Sequence, residues 1–251
     1  MFKGFLKHIN NVINESDIIF ELIDARYPEK TRNYELEKKI IKKRKKLVIL
    51  INKSDLVEKE KIEEEKEKLK KTIKAKIIFV SGKNKKGINL IKKEIGILKT
   101  KRTLIVGIIG YPNTGKSTLI NSITGKGKGK VATSKKAGLT RGLQKIKLNE
   151  GVYLIDSPGI IPRKKEESDL FLVNSKNPNQ IKDIEGVAFK IIKELGIENI
   201  KKYFKIIEKC NEEELLEIIA KKQNFLLKKA KPDTTKAARY LLEKYQKDGL
   251  K

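Results

Sequence analysis

Residues 110–117 read Gly-Tyr-Pro-Asn-Thr-Gly-Lys-Ser, a loop bounded by glycines and closed by a Lys-Ser pair. The apolar run Leu104–Ile109 leads into it, and Leu119, Ile120 and Ile123 follow at helical spacing. A strand, a glycine-rich turn and a helix in that order make the phosphate-binding P-loop pattern. Glycines are needed there because successive backbone N–H groups must turn inward onto phosphate oxygens. Lys116 is spaced to reach the β- and γ-phosphates, and the Ser117 hydroxyl to ligate Mg²⁺. Asn113, Thr114, Gly115, Lys116, Ser117 and Thr118 are the candidate nucleotide contacts of this loop.

Working outward, short β-branched runs alternate with helical patterns. Strands are predicted at Ile18–Ile23, Leu47–Ile51, Ile77–Val80, Leu104–Ile109, Leu143–Leu148 and Val152–Ile155, and helices roughly at 3–15, 31–44, 58–73, 87–98 and 115–124. That rhythm predicts an α/β fold of βαβ units around a mostly parallel sheet. Beyond Pro162 the pattern becomes purely helical, and a polar stretch at 174–180 intervenes. The expected organisation is a nucleotide-binding domain over 1–163, a linker over 164–180 and an all-helical domain over 181–251. The last helix would start at Asp233 or Thr234.

Three further motifs fall at predicted strand ends, where open α/β sheets bind ligands. Asn52-Lys53-Ser54-Asp55 follows Leu47–Ile51; alone, N-K-x-D is a weak signal in so lysine-rich a chain. The Asp55 carboxylate suits guanine, whose N1–H and N2–H₂ donors lie side by side, whereas adenine presents an acceptor at N1. Its other reading is an N-cap of the next helix. Ser81-Gly82-Lys83 closes another strand, and a backbone amide there could donate to guanine O6. Asp156-Ser157-Pro158-Gly159 ends the strand Val152–Ile155. Asp156 could hold Mg²⁺ through water, and the Gly159 amide could read the γ-phosphate.

The order of these motifs resembles a family, the circularly permuted TRAFAC-class GTPases of the YlqF/RbgA type, a group implicated in large ribosomal subunit assembly. Ordinary GTPases run from P-loop to D-x-x-G to N-K-x-D to S-A-K. Here the order is N-K-S-D (52–55), S-G-K (81–83), the P-loop (110–117) and D-S-P-G (156–159). The family's D-A-R-x-P is matched by Asp24-Ala25-Arg26-Tyr27-Pro28, and Asp233–Leu242 resembles its last helix. The resemblance implies a permuted, Ras-like three-layer P-loop sandwich with a C-terminal helical domain, binding GTP/GDP with Mg²⁺. It makes Thr140, in A-G-L-T-R-G (137–142), the switch threonine that ligates Mg²⁺ when GTP is bound, and Asn113 a ligand for a K⁺ ion. Lys116, Thr140 and Gly159 are then the residues carrying hydrolysis. Ile160 and Ile161 stand where other GTPases position water with glutamine, which implies slow unstimulated turnover. His8 does not align with the family's N-terminal histidine.

Of 251 residues, 59 are Lys or Arg and 32 Asp or Glu, a net charge of +27 that suggests a polyanionic partner. Residues 1–164 carry 40 basic and 17 acidic side chains, net +23, and the rest only +4. Seven of the nine residues from Lys38 to Lys46 are basic, and Ile95–Asn149 has no acid at all. The expected partner is large-subunit rRNA or a pre-ribosomal particle, engaged through Lys126–Lys147, which carries eight of these charges; the acid-free stretch around it includes the expected switch loop 125–142. Lys228, Lys229 and Lys231 form a second patch. A lysine-rich surface without a specific partner would look similar, as would a GTPase acting on a protein or membrane, or an RNA-binding scaffold with negligible hydrolysis. No apolar run approaches a membrane span, and the single Cys210 excludes an intramolecular disulfide and a multi-cysteine metal site. A cytoplasmic monomer is the expectation.

Overall fold

A strand covered on both faces is apolar at almost every position rather than at alternate ones. β1 (Ile18–Asp24) is such a strand, buried throughout, and β2 (Lys46–Asn52) is buried after its first residue. The computed structural model describes residues 2–99, 103–125, 145–157, 159, 166–172, 177–248 and 250. The chain divides into two compact units, Met1–Pro162 and Arg163–Lys251.

In the first unit β1 and β2 are joined by β3 (Lys76–Phe79), β4 (Leu104–Gly110), β5 (Lys145–Asn149) and β6 (Val152–Asp156). The sheet order is β3-β2-β1-β4-β6-β5, and all neighbours are parallel except the β5–β6 pair. Helices α1 (Phe2–Glu15), α2 (Pro28–Thr31), α3 (Tyr34–Lys42), α4 (Lys59–Thr72), α5 (Ile88–Leu98) and α6 (Lys116–Thr124) accompany it. Because strand side chains alternate, β1 feeds two cores. Ile18, Phe20 and Leu22 pack with Ile91 of α5 and Leu119, Ile120 and Ile123 of α6. Ile19 and Ile23 face the other way, onto Val12 and Ile13 of α1, Ile40 of α3 and Leu69 of α4. Each fully buried aliphatic side chain contributes about 1.5–3 kcal/mol. The result is the expected three-layer α/β sandwich.

The topology places the site. From β1 the chain winds outward through β2 to β3, then returns to lay β4 against the other edge of β1. The winding direction therefore reverses between β1 and β4, and ligands of open α/β sheets bind outside the carboxyl ends of the strands at such a reversal. Gly110 of β4 pairs with Leu22 of β1, and Asp24 of β1 with Asn52 of β2. Asp156 at the end of β6 pairs with Ile108.

The helix expected over 31–44 is α3, which starts three residues later, and the short α2 precedes it. Pro28 starts α2, and the Asn33 side chain accepts the Leu36 amide as the cap of α3. Arg32 lies between the two and turns inward to pair with Glu37 through two hydrogen bonds of 2.9 and 2.8 Å.

The second unit comprises α7 (Glu167–Leu172), α8 (Ile184–Leu195), α9 (Ile197–Phe204), α10 (Glu212–Lys222) and α11 (Thr234–Asp248). Val187 and Ile191 of α8, Leu215 and Ile219 of α10, and Ala238, Leu241 and Leu242 of α11 are buried. Within the expected linker 164–180 lies α7, whose Phe171 ring meets Tyr245 at 5.8 Å. Asp233 is the cap of α11, accepting the Lys236 amide at 2.8 Å. Leu226, which continues the periodicity of Leu215 and Ile219, lies beyond α10 and is half exposed. The helix ends because Asn224 adopts a left-handed backbone with φ 55°. Among the described residues, no helix is long and apolar enough to cross a membrane.

Candidate functional site

The P-loop leaves β4 at Gly110, whose φ of 154° brings it so close to β1 that a Cβ would lie 2.4 Å from the Leu22 carbonyl oxygen. Gly115, with φ 95°, delivers the chain into α6, whose first residue is Lys116. The N-terminal N–H groups of α6 thus open onto the loop, the arrangement that binds anions. Lys116 folds back across it and donates to the carbonyls of Gly110 at 3.0 Å and Tyr111 at 2.6 Å. Burial lowers its pKa to about 8, and the negative charge of Asp156 opposes that drop only in part. Thr114 is buried and donates its hydroxyl to the Tyr111 carbonyl at 2.9 Å, while Ser117 and Thr118 are exposed at the start of the helix.

Asp156 is raised from the ordinary aspartate value by burial, against the Lys116 charge and the Ser157 N–H. Its Oδ1 is buried without a hydrogen-bond partner among the described residues. An orphaned carboxylate oxygen beside a helix that begins Lys116-Ser117 supplies the hard oxygen donors that Mg²⁺ takes. The residues present therefore fit that ion. Gly159 lies against the loop, where a Cβ would come within 2.8 Å of Pro112.

From the end of β2, Asn52 ties two loops together. Its Nδ2 donates to the Thr114 carbonyl at 2.7 Å, and its Oδ1 accepts the Gly82 amide at 3.0 Å. Lys53 sits in a left-handed conformation, φ 62°, and its Nζ donates to the Asn113 carbonyl at 2.7 Å. Asp55 is exposed within a short 3₁₀ turn, Ser54–Leu56. It does not cap the next helix, because the N-cap of α4 is Glu58. In the turn that follows β3, the Ser81 hydroxyl accepts the Asn84 amide at 3.0 Å. Gly82 N–H is committed to Asn52, and Lys83, next in the turn, is exposed.

N-K-S-D, S-G-K, the P-loop and D-S-P-G thus occupy the carboxyl ends of β2, β3, β4 and β6, the P-loop strand being fourth in the chain yet central in the sheet. Residues 22–164 match the family model described as "RsgA GTPase", and residues 105–229 the one described as "50S ribosome-binding GTPase". The chain belongs to the circularly permuted GTPases of the YlqF/RbgA type. A GTP-binding protein of Methanocaldococcus jannaschii is 37% identical over 250 residues, covering 96% of this chain and 64% of that protein. Nuclear/nucleolar GTPase 2 of Oryza sativa subsp. indica is 31% identical, over 94% of this chain and 45% of its own length. The structure of GNP-bound YlqF from T. maritima superposes with a TM-score of 0.63 at 26% identity, covering 96% of this chain and 92% of that one. The GDP-bound form gives 0.62 at 27%, over 94% and 92%. The chain spans 64% of the length of the Methanocaldococcus jannaschii relative and about half of the length of the nuclear and nucleolar ones.

For this permuted GTPase the D-A-R-x-P stretch has a role that sequence reading missed. Asp24 is buried at the end of β1 and accepts Arg26 Nη2 at 2.7 Å, Arg26 Nε and N at 3.0 Å, and Lys53 Nζ at 2.8 Å. Burial by itself would raise its pKa, but the Arg26 hydrogen bond and the Lys53 charge outweigh it and hold the carboxyl below its ordinary value. Asp24 therefore positions Lys53. The signal available beforehand was an acid closing an apolar strand within two residues of an arginine. Thr140, the rest of the segment 126–144, and Ile160 and Ile161 lie outside the described residues.

Proposed function

We propose that this chain is a GTP-hydrolysing switch that assists assembly of the large ribosomal subunit by binding rRNA or a pre-ribosomal particle according to its nucleotide state. The observation that carries this reading is the docking of Asn52 and Lys53 onto the carbonyls of Thr114 and Asn113. A base held by N-K-S-D would then lie in fixed register with phosphates held by the P-loop. Asp55 pairs with guanine N1–H and N2–H₂, Lys53 lies along the base, and the turn Ser81-Gly82-Lys83 offers an amide to O6. Asn113, Thr114, Gly115 and Thr118 cradle the phosphates through backbone N–H groups at the start of α6.

Lys116 leaves its two carbonyl partners for the β- and γ-phosphates, bringing a positive charge to where charge develops in the transition state. Ser117 and Asp156 would hold Mg²⁺, the latter through water, with Thr140 joining them in the GTP state. When bound, the ion would supply positive charge that neutralises the phosphates. A K⁺ ion beside Asn113 would add to it. Gly159 presents its amide to the γ-phosphate. Water attacks the γ-phosphorus, and GDP and inorganic phosphate leave. Ile160 and Ile161 can neither orient nor deprotonate that water, so turnover waits on the bound particle.

The test is single-turnover GTP hydrolysis with and without purified large-subunit rRNA or subunits. The proposal expects acceleration of at least about tenfold. An unchanged rate, together with RNA binding that is the same in GDP and in a GTP analogue, would contradict it.

A further inference from the structure

The run Lys38–Lys46 plays no part in the nucleotide site. It ends α3 and opens β2, so it lies at the amino end of the sheet. The seven residues of β2 separate it from Asn52 by about 20 Å. At that end Arg44, Lys45, Lys46, Lys74 and Lys76 line a cavity of about 460 Å³ with Ile41 and no acidic residue. The volume falls within the range of small-ligand sites, roughly 300–1,000 Å³.

The charges here are largely uncompensated. Among the described residues Glu94 is the one carboxylate that reaches them, and it is shared by Lys46 and Lys76. Lys39 and Lys43 turn to the neutral side-chain amides of Asn10 and Asn14, and Lys45 to the Asn14 carbonyl. Arg44 and Lys74 are exposed and pair with no acid among the described residues. Arg44 also holds a left-handed backbone, φ 53°, at the turn after α3, where glycine is usual. A non-glycine residue costs about 1 kcal/mol or more there. Ile41, 53% exposed, offers an apolar wall among these cations.

We infer that this cavity binds the phosphodiester backbone of structured RNA, making a second contact on the face away from the nucleotide. It rests on the RNA-binding reading above, and it names a place for that contact within the described residues. Arg44, Lys45 and Lys74 neutralise successive phosphates, and Ile41 takes the apolar face of a sugar or base. Each phosphate neutralised releases about 0.7–0.9 counterions, so these contacts give a steep dependence on salt.

The experiment measures binding of protein-free large-subunit rRNA against salt concentration for the wild type and for Arg44→Gln/Lys45→Gln/Lys74→Gln. Three lost contacts reduce the slope of log K on log salt by about 2, and lower affinity about 100-fold near ~0.1 M salt. GDP affinity should not change. Arg44→Gln and Lys74→Gln alone should each lower the slope by about 0.7, which keeps the test open should the triple variant misfold. The control Lys66→Gln/Lys68→Gln/Lys70→Gln removes three charges already paired with Glu63, Glu65 and Glu67 on α4. It should cost less than about threefold. Wild-type slope and affinity in the pocket variant would overturn the pocket while leaving the RNA reading intact. Equal losses in the control would overturn it too, because net charge alone would then suffice. Absence of RNA binding by the wild type would overturn both. Displacement of RNA by polyglutamate at equal charge concentration would assign the cavity to acidic protein instead.

Discussion

Lys116 can be tested through its proton. Burial against Gly110 and Tyr111 brings its pKa from the ordinary 10.5 to about 8, a difference worth about 3 kcal/mol against the charged form. Polyphosphate beside the ammonium restores the charged form, so nucleotide binding must take up a proton wherever free Lys116 is partly neutral. At pH 8 the free group is half charged, giving an uptake of about 0.5 proton per nucleotide, against about 0.1 at pH 7. The same linkage weakens affinity about fourfold between pH 7 and 8.5, below the range where guanine itself ionises. Calorimetric titration of GDP in buffers of different ionisation enthalpy reads the uptake directly. The nucleotide-free protein carries the opposite face of this effect. The unfolded chain holds the Lys116 proton up to about pH 10.5 and the folded one only to about 8, so stability rises with pH across that window. Proton uptake of zero at pH 8, with affinity flat to pH 8.5, would refute the placement of Lys116 as a desolvated phosphate ligand.

Two other substitutions probe the frame around it. Asp24→Asn removes the charge that holds Arg26 and Lys53; since both cations are partly solvated, a loss of about 2 kcal/mol in urea unfolding is expected. GDP affinity should fall about tenfold as Lys53 loosens, with ATP still rejected. Gly115→Ala places a methyl group 2.4 Å from Asn52 Nδ2 at a φ of 95°. GDP affinity should drop by more than about 100-fold, while the fold, read by circular dichroism, persists.

Much of the fold was legible because the sheet is covered on both sides. Strands such as Ile18–Asp24 and Lys46–Asn52 are near-continuous apolar runs, and that pattern needs no knowledge of what lies above them. Glu21 is the exception inside β1. It is buried, accepts the Asn33 amide at 2.8 Å, and its pKa is pushed well up by burial and by the Glu37 charge. Nothing local signals that pairing, because Arg32 and Asn33 come from the junction between α2 and α3, and Glu37 from α3. The same polar cluster explains why the helix expected from 31 begins only at Tyr34: Arg32 turns inward onto Glu37 and Asn33 caps α3. Leu226 shows the converse: its helical spacing from Leu215 and Ile219 continues past the point where Asn224 turns the backbone. In the site, motif spacing placed Asn52, Lys53 and Lys116 at strand ends. It could not say that Asn52 spans two loops, or that Asp24 anchors Lys53, since both depend on which strands are neighbours.

The central claim is that N-K-S-D at the end of β2 selects guanine for phosphates bound after β4. Asp55→Asn tests it most directly. Asp55 is exposed and caps no helix, so the substitution leaves the fold unchanged. Asparagine offers a donor where the carboxylate accepted, and should prefer xanthine, whose 2-oxo group is an acceptor. Competition binding of GDP and xanthosine diphosphate should show the wild type favouring GDP and Asp55→Asn reversing that order, with a swing of at least about 100-fold, or roughly 3 kcal/mol. Unaltered preference for GDP in the variant would contradict the assignment.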